Sequence, residues 1–119
     1  ERMTEPAGGT LVGIDGLVRA GSTLIGIQNG LSPARVVGIS LNTRGDRITN
    51  IVTLDRQPYE GDPTVGAVRG DCYLFVASAP WPFFDDNGTR RRMTPLPGGV
   101  VRALALGNRP VQRCGDQRQ

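Results

Sequence analysis

The sequence contains no histidine and no lysine, and each absence excludes a class of chemistry. Without histidine there is no serine–histidine–aspartate triad, no cysteine–histidine pair and no histidine-bearing zinc site. Without lysine there is no Schiff-base nucleophile and no Walker-type phosphate-binding loop. All 14 positive charges are therefore arginine, and the net charge is +3. The 119 residues amount to one domain or part of one.

Long apolar runs and helical periodicity are also missing. The strongly apolar stretch at residues 72–84 is shorter than the roughly 18 residues that span a bilayer, and it contains Pro80 and Pro82. We therefore expect no membrane partner. No signal peptide is visible, and because the chain begins with Glu1 rather than methionine we expect a processed or cut N-terminus. The sequence predicts no particular compartment.

The arginines are spread along the chain, with a single run at residues 90–92. A nucleic-acid-binding protein normally groups its basic residues on one face, so we expect this run to be a solvated patch and expect no nucleic-acid partner. Of the two cysteines, Cys72 lies in an apolar strand-like run and is expected to be a buried thiol, whereas Cys114 lies in a polar tail. A disulfide between them in an oxidising compartment is the alternative.

Short β-rich runs separated by turn residues dominate the sequence, which predicts an all-β fold. The expected strands number eight, and residues 107–119 form a polar tail. The strands are expected at residues 10–14, 17–20, 23–28, 35–41, 47–54, 64–69, 72–77 and 100–106.

An internal repeat organises these strands. When Gly21 is aligned with Gly70, Leu24 falls on Tyr73, Ile25 on Leu74 and Ile27 on Val76. A unit of about 40 to 50 residues with four strands is typical of a β-propeller blade. Residues 1–106 therefore read as two four-stranded blades, the first at about 16–55 and the second at about 63–106. The strand at 10–14 would complete the second blade and cover its edge.

Two blades cannot close a ring, because the apolar faces of each blade need neighbours on both sides. The chain is expected to be part of a longer propeller, joined by its remaining blades, or a homo-oligomer in which three copies make a six-bladed ring. A small β-sandwich with a chance repeat is the alternative.

In a propeller, polar residues just before the innermost strand of a blade, or just after its second strand, converge at the mouth of the central channel. This pattern selects Asp15 as a metal ligand and Asn29, Asp62 and Trp81 as residues that contact a small-molecule substrate. Carboxylate and amide oxygens suit a hard divalent cation. Asp-Gly, Asp-Pro and Asn-Gly are also ordinary turn dipeptides, and Trp81 could belong to a local core. The segment Asp85-Asp86-Asn87-Gly88 is expected to be a hairpin turn rather than a calcium loop.

The segment IDGLVRAGSTLIGIQNGLSPARVVGISLN, residues 14–42, resembles a blade of the six-bladed gluconolactonase and senescence-marker-protein (regucalcin) family, and the second unit resembles the C-terminal portion of such a protein. In that family the Asp of a Pro-Asp-Gly motif is a ligand of the catalytic cation; that position falls on Asp15, and Ile14 replaces the proline. The resemblance implies hydrolysis of a sugar lactone, with calcium, magnesium or zinc polarising the carbonyl and Asp15 as the catalytic base. The alternative is a non-catalytic propeller that serves as a ligand- or protein-binding scaffold.

Overall fold

The computed structural model describes residue 3, residues 9–56, 62–91 and 98–107, and residue 114. These residues form seven β-strands and one short 3-10 turn, and none of them lies in an α-helix. The elements are β1 (Ile14–Ala20), β2 (Thr23–Gln28), β3 (Arg35–Leu41), β4 (Ile48–Arg56), β5 (Gly66–Arg69), β6 (Cys72–Ser78), the turn Trp81–Phe83 and β7 (Val100–Ala105). The all-β prediction is confirmed. Apart from the first expected strand, the strands begin and end within three residues of their expected positions.

The strands form two antiparallel sheets in which chain order is also spatial order. The first sheet runs β1-β2-β3-β4, and the second runs β5-β6-β7. In the first hairpin Ala20 pairs with Thr23, and in the second Arg69 pairs with Cys72. Each hairpin therefore turns on two residues, and the first of them is Gly21 (φ 63°) or Gly70 (φ 58°). Two-residue hairpin loops favour glycine here because the right-handed twist of the strands requires positive φ.

The main hydrophobic core lies between the two sheets. The first sheet contributes Ile25, Ile27 and Val36, and the second contributes Tyr73, Phe75 and Ala77. All six side chains are at most 2% exposed. Removing that much apolar surface from water is the principal stabilising term for a fold with so few strands.

A smaller core lies on the opposite side of the first sheet. Val37, Ile39 and Ile48 are buried there, and Leu11 and Leu24 pack against them. Because alternate residues of a strand point to opposite faces, Leu24 and Ile25 of β2 belong to different cores. The first sheet is therefore covered on both faces, on one by the second sheet and on the other partly by the N-terminal segment.

The expected strand at residues 10–14 does not form. Residues 10–13 are not in a strand, and only Ile14 belongs to one, as the first residue of β1. The buried amide of Gln28 donates to the carbonyl oxygens of Thr10 (3.0 Å) and Val12 (2.6 Å), which fixes this segment beside the end of β2. Among the described residues, the second sheet accordingly has three strands rather than the four that were expected.

Gly13 explains why the chain bends away at that point. Its φ is 75°, and a Cβ on it would lie 2.8 Å from the Cα of Gly30. The Gly30 amide donates a 3.0 Å hydrogen bond to the Gly13 carbonyl. Only a glycine fits both this backbone conformation and this close approach.

The prediction that Cys72 is a free buried thiol was wrong. Cys72 and Cys114 form a disulfide with a Cα–Cα distance of 5.5 Å. The bond ties residue 114 to the start of β6. Gly107 and Cys114 apart, the expected polar tail lies outside the described residues.

The expected hairpin turn at residues 85–88 is confirmed. The Gly88 amide donates to the Asp85 carbonyl at 2.9 Å, and Gly88 has a φ of 79°. The Asp85 carboxylate accepts hydrogen bonds from the backbone amides of Asn87 and Thr89. Asp85 therefore organises its own turn, as short polar side chains commonly do.

Candidate functional site

Asp15 occupies an irregular position in β1 that directs its carboxylate to the surface. Ile14 pairs with Gln28 and Gly16 pairs with Ile27, so Asp15 is an extra residue in a β-bulge. A bulge bends its strand and changes the direction of the inserted side chain. Gly16 is buried, and a Cβ on it would lie 3.2 Å from the Cα of Val65, next to β5. The bulge thus holds an exposed carboxylate where the two sheets come close together.

Two polar side chains donate hydrogen bonds to this carboxylate. The Asn29 side-chain amide donates to Asp15 Oδ2 at 3.0 Å and also to the Pro63 carbonyl at 2.9 Å. The Thr64 hydroxyl donates to the same Asp15 oxygen at 2.9 Å. We call Asp15, Asn29 and Thr64 the inter-sheet cluster. Asn29 follows β2 and Thr64 precedes β5, so the cluster joins the two sheets.

The four residues selected from the sequence are not brought together as a set. Asp15 and Asn29 are in direct contact. Asp62 lies two residues from Thr64 and forms an isolated bridge with Ala79, in which the Ala79 amide donates to the Asp62 carbonyl at 2.9 Å. Trp81 lies in the 3-10 turn after β6 with 67% of its surface exposed. The hydrogen bonds of the inter-sheet cluster involve neither Asp62 nor Trp81.

The chemistry available to the cluster is limited by how its carboxylate is used. Oδ2 of Asp15 already accepts two hydrogen bonds, which stabilise a carboxylate but do not themselves provide metal ligands. Divalent cations such as calcium take six or more oxygen ligands, several of them carboxylates. In the part of the chain that the structure describes, no group of three or more histidine, cysteine, aspartate or glutamate side chains could hold a metal ion.

A buried polar network beside the cluster was not predicted. Gln28 is fully buried, and its side-chain oxygen accepts a 2.6 Å hydrogen bond from Arg35 Nε. Arg35 also donates to the Thr53 hydroxyl at 3.1 Å. A buried amide must be hydrogen-bonded to be tolerated, and here the N-terminal segment and Arg35 provide the partners. The available sequence signal was a glutamine at the end of an otherwise apolar strand.

Tyr73 is a buried residue whose hydroxyl is affected by removal from water. Its ring is fully buried and stacks on Phe75, with ring centroids 5.6 Å apart. Its hydroxyl has no hydrogen-bond partner among the described residues. Desolvation by burial raises the pKa of this hydroxyl above its ordinary value of 10.0. The group is enclosed in the core, away from the surface where a substrate would bind.

No helix within the described ranges is both long enough and apolar enough to cross a membrane. No family model matches this sequence, and no curated protein or solved structure matches it either.

Proposed function

We propose that this chain is two adjacent modules of a β-propeller that acts as a non-catalytic binding scaffold. The observation that carries the proposal is the way the two sheets pack. In the 49-residue alignment Leu24 corresponds to Tyr73 and Ile25 to Leu74. Ile25 of the first sheet and Tyr73 of the second belong to the same buried core between the sheets. The contact therefore joins opposite faces of corresponding modules, as in stacked blades. Modules related by a two-fold axis would instead pack corresponding faces together.

The distance between the sheets also supports a radial arrangement. β1 and β5 are in contact, and Gly16 lies close to Val65. A cleft between the sheets reaches from Ala20 of β1 and Val68 of β5 to Val52 and Leu54 of β4. Two sheets that converge at their first strands and separate toward their last have the wedge shape of neighbouring blades around an axis.

The proposal assigns the outer face of the second sheet to a further module. Leu74 and Val76 correspond to Ile25 and Ile27, which are fully buried. Across the same face Val76 pairs with Val101, which is 67% exposed, and Val65 is 57% exposed. Apolar patches of this kind usually mark a contact surface. The next module, either from the remaining blades or from another copy of this chain, packs on this face.

Sedimentation equilibrium of the 119-residue chain over a range of concentrations tests this assignment. We expect association in the unmodified chain and loss of association in Leu74→Asp, because a carboxylate would be buried in the contact. Leu31→Asp is the control, since Leu31 lies in the loop between β2 and β3 and is 38% exposed. A chain that stays monomeric at every concentration contradicts the packing of another copy on this face. Association that persists equally in Leu74→Asp contradicts the assignment of this face as a contact surface.

Metal-dependent lactone hydrolysis is the second candidate function. It is favoured by the contact between Asp15 and Asn29 at the surface where the sheets converge. In this proposal Asp15 binds calcium, magnesium or zinc and acts as the general base, while Asn29, Asp62 and Trp81 contact the small-molecule substrate.

Calorimetric titration with each of the three cations, together with a lactone-hydrolysis assay, separates the two functions. The scaffold proposal expects no cation binding that depends on Asp15 and no hydrolysis. Cation binding or hydrolysis that is present in the unmodified chain and lost in Asp15→Asn would overturn the scaffold proposal in favour of the enzyme. Asp46→Asn is a matched control, because Asp46 is an exposed aspartate in the turn between β3 and β4.

A further inference from the structure

A cleft of about 620 Å³ lies between the two sheets, at the end where the hairpins turn on Gly21 and Gly70. Its floor crosses all four strands of the first sheet, from Ala20 of β1 to Val52 and Leu54 of β4. The opposite wall is formed by the β5-β6 hairpin and the end of β7. Sites for small molecules usually have volumes of about 300 to 1,000 Å³, so the cleft is of a size to hold one.

The floor of the cleft is deep because Gly38 has no side chain at the centre of β3. A Cβ on Gly38 would lie 3.3 Å from a methyl carbon of Val52 and 3.4 Å from one of Leu54. Further along the same sheets the space is closed, since Arg102 of β7 reaches the Asp55 carboxylate of β4 at 3.0 Å. The sheets are therefore bridged beside Asp55 and leave a cleft over Gly38.

The aliphatic part of the floor is accessible although it continues the main core. Val52 pairs with Gly38, and Gly38 pairs with Ile25, so Val52 lies on the same face as the fully buried Ile25. Val52 is nevertheless 43% exposed and Leu54 is 39% exposed. A ligand that covers these two side chains removes apolar surface from water, which favours an aliphatic body.

Two hydroxyl groups add a polar point to this floor. Thr23 pairs directly with Ser40, so their side chains are neighbours on one face, with Cβ atoms about 5 Å apart. Both residues are partly buried, and no hydrogen bond within the described ranges uses either hydroxyl. Two hydroxyls at that spacing can both donate to one carbonyl oxygen, which has two lone pairs. The pair therefore favours a ligand with a carbonyl group over a pure hydrocarbon.

The charge of the lining favours a neutral ligand. Its charged members among the described residues are Arg19 and Asp71, one of each sign, and each lies beside a hairpin turn. Arg19 Nε donates a 2.8 Å hydrogen bond to the Gly21 carbonyl, which holds it near the first turn. A carboxylate ligand would be repelled by Asp71 and an ammonium ligand by Arg19, so a single charge of either sign gains little.

We propose that the cleft binds a neutral small molecule with an aliphatic body and one carbonyl group, such as a ketone or an amide. The aliphatic body contacts Val52 and Leu54, and the carbonyl oxygen accepts hydrogen bonds from Thr23 and Ser40. Both walls of the cleft belong to this chain. The proposal therefore does not rest on the packing of further modules, and the two can fail separately.

NMR titration of the unmodified, nitrogen-15-labelled chain with cyclohexyl methyl ketone tests the site. We expect saturable shifts, with a Kd in the millimolar range or below, that are largest at the amides of Gly21, Gly38 and Ser40. The amide of Gly88, in the turn at residues 85–88, should not shift. Absence of saturation, or shifts at Gly88 as large as those in the cleft, would overturn the proposal.

Two charged analogues of the ketone test the chemical class of the ligand. Cyclohexanecarboxylate and cyclohexylmethylammonium keep the ring and replace the neutral carbonyl with a charge. Each ion should bind at least about fivefold more weakly than the ketone, because its charge loses hydration in the cleft without an unopposed partner. Equal or tighter binding of either ion would overturn the assignment of a neutral ligand.

Matched variants test the two contacts. Ser40→Ala should weaken ketone binding about fivefold because a hydrogen bond is lost, whereas Ser22→Ala, in the exposed turn after β1, should change it less than about twofold. Leu54→Asn should weaken binding about tenfold because an apolar contact is lost. Leu31→Asn, at 38% exposure against 39% for Leu54, should change it less than about twofold.

Unchanged binding in Ser40→Ala or in Leu54→Asn would overturn the contact assigned to that residue, and unchanged binding in both would overturn the site. If either variant fails to fold, the amide shifts of the unmodified chain still locate the ligand. Shifts confined to residues outside the cleft would then overturn the proposal.

Discussion

Asp15 and Thr64 are 49 residues apart, and the Thr64 hydroxyl donates a 2.9 Å hydrogen bond to the Asp15 carboxylate. This separation is also the offset that aligns the two hairpins. Residues at corresponding positions of two modules are therefore in direct contact. In the proposed propeller, corresponding positions of neighbouring modules come together only near the axis, so this contact would lie beside it. The partner of Asp15 across that axis is a threonine rather than a second carboxylate, which makes the cluster better suited to joining sheets than to binding a cation.

The first prediction concerns the contribution of this bond to stability. Thr64→Val keeps the shape of the side chain and removes the donor, so the free energy of unfolding should fall by about 1 kcal/mol. Thr43→Val, in an exposed turn, should change it by less than about 0.5 kcal/mol. Denaturant unfolding of both variants measures the difference. A double-mutant cycle with Asp15→Ala should give a coupling energy above zero, and complete additivity would show that the bond does not stabilise the fold.

The second prediction uses the close contact between Gly66 and Tyr73. A Cβ on Gly66 would lie 2.5 Å from the Tyr73 hydroxyl oxygen and 2.7 Å from the Leu74 carbonyl oxygen. Because the backbone oxygen cannot move aside easily, Gly66→Ala should lower the free energy of unfolding by about 2 kcal/mol or more. Gly98→Ala is the control, since nothing lies within 4 Å of the added carbon. Equal thermal stability of the two variants would contradict the packing described here.

How far the sequence could predict this structure depends on the range of the interactions involved. The hairpins of β1-β2 and β5-β6 follow from local patterns, namely short β-rich runs with Gly21 or Gly70 between them, and their ends were predicted within three residues. Residues 10–13 also have a β-rich composition, but their conformation is decided by Gln28, 16 to 18 residues away. No local pattern reveals such a tertiary hydrogen bond, and it outweighs the intrinsic preference for a strand.

The candidate site, like the fold, was predicted only in part from the sequence. The polar turn residues identified Asp15 and Asn29, which are in contact. Thr64 was missed, although the 49-residue offset leads directly from Asp15 to Thr64. Asp62 was selected as the counterpart of Asp15 from its Asp-Pro dipeptide, but the 49-residue offset places Thr64, two residues further on, at that position.

The third prediction concerns the buried hydroxyl of Tyr73. Because this hydroxyl has no partner among the described residues, Tyr73→Phe should raise the free energy of unfolding by about 1 kcal/mol at neutral pH. Phe75→Leu leaves the Tyr73 hydroxyl in place and replaces the stacked ring with a smaller aliphatic side chain. This variant should lower the free energy of unfolding by about 1 to 2 kcal/mol. Urea unfolding at pH 7 measures both. A loss of stability in Tyr73→Phe would show that the hydroxyl has a hydrogen-bond partner.

The pH dependence of the same residue gives a separate test. Burial raises the pKa of Tyr73 in the folded chain above the ordinary value of 10.0, so the unfolded chain releases this proton at a lower pH. The contribution of Tyr73 to the free energy of unfolding is therefore complete below pH 10. It is lost as the pH rises from there through the pKa of the folded chain, at up to about 1.4 kcal/mol per pH unit. Above pH 10 the unmodified chain should lose stability faster than Tyr73→Phe. Parallel curves for the two proteins would contradict a raised pKa.

The last prediction concerns the disulfide between Cys72 and Cys114. It closes a loop with a sequence separation of 42 residues, and the chain-entropy model assigns such a loop about 4 kcal/mol of stabilisation through the unfolded state. Cys114→Ser should therefore lower the free energy of unfolding by up to that amount. The double variant Cys72→Ser with Cys114→Ser should lose a similar amount, because the second substitution removes no further cross-link. A reducing agent should destabilise the unmodified chain and leave the double variant unchanged; if it affects neither protein, the two cysteines are not joined in solution.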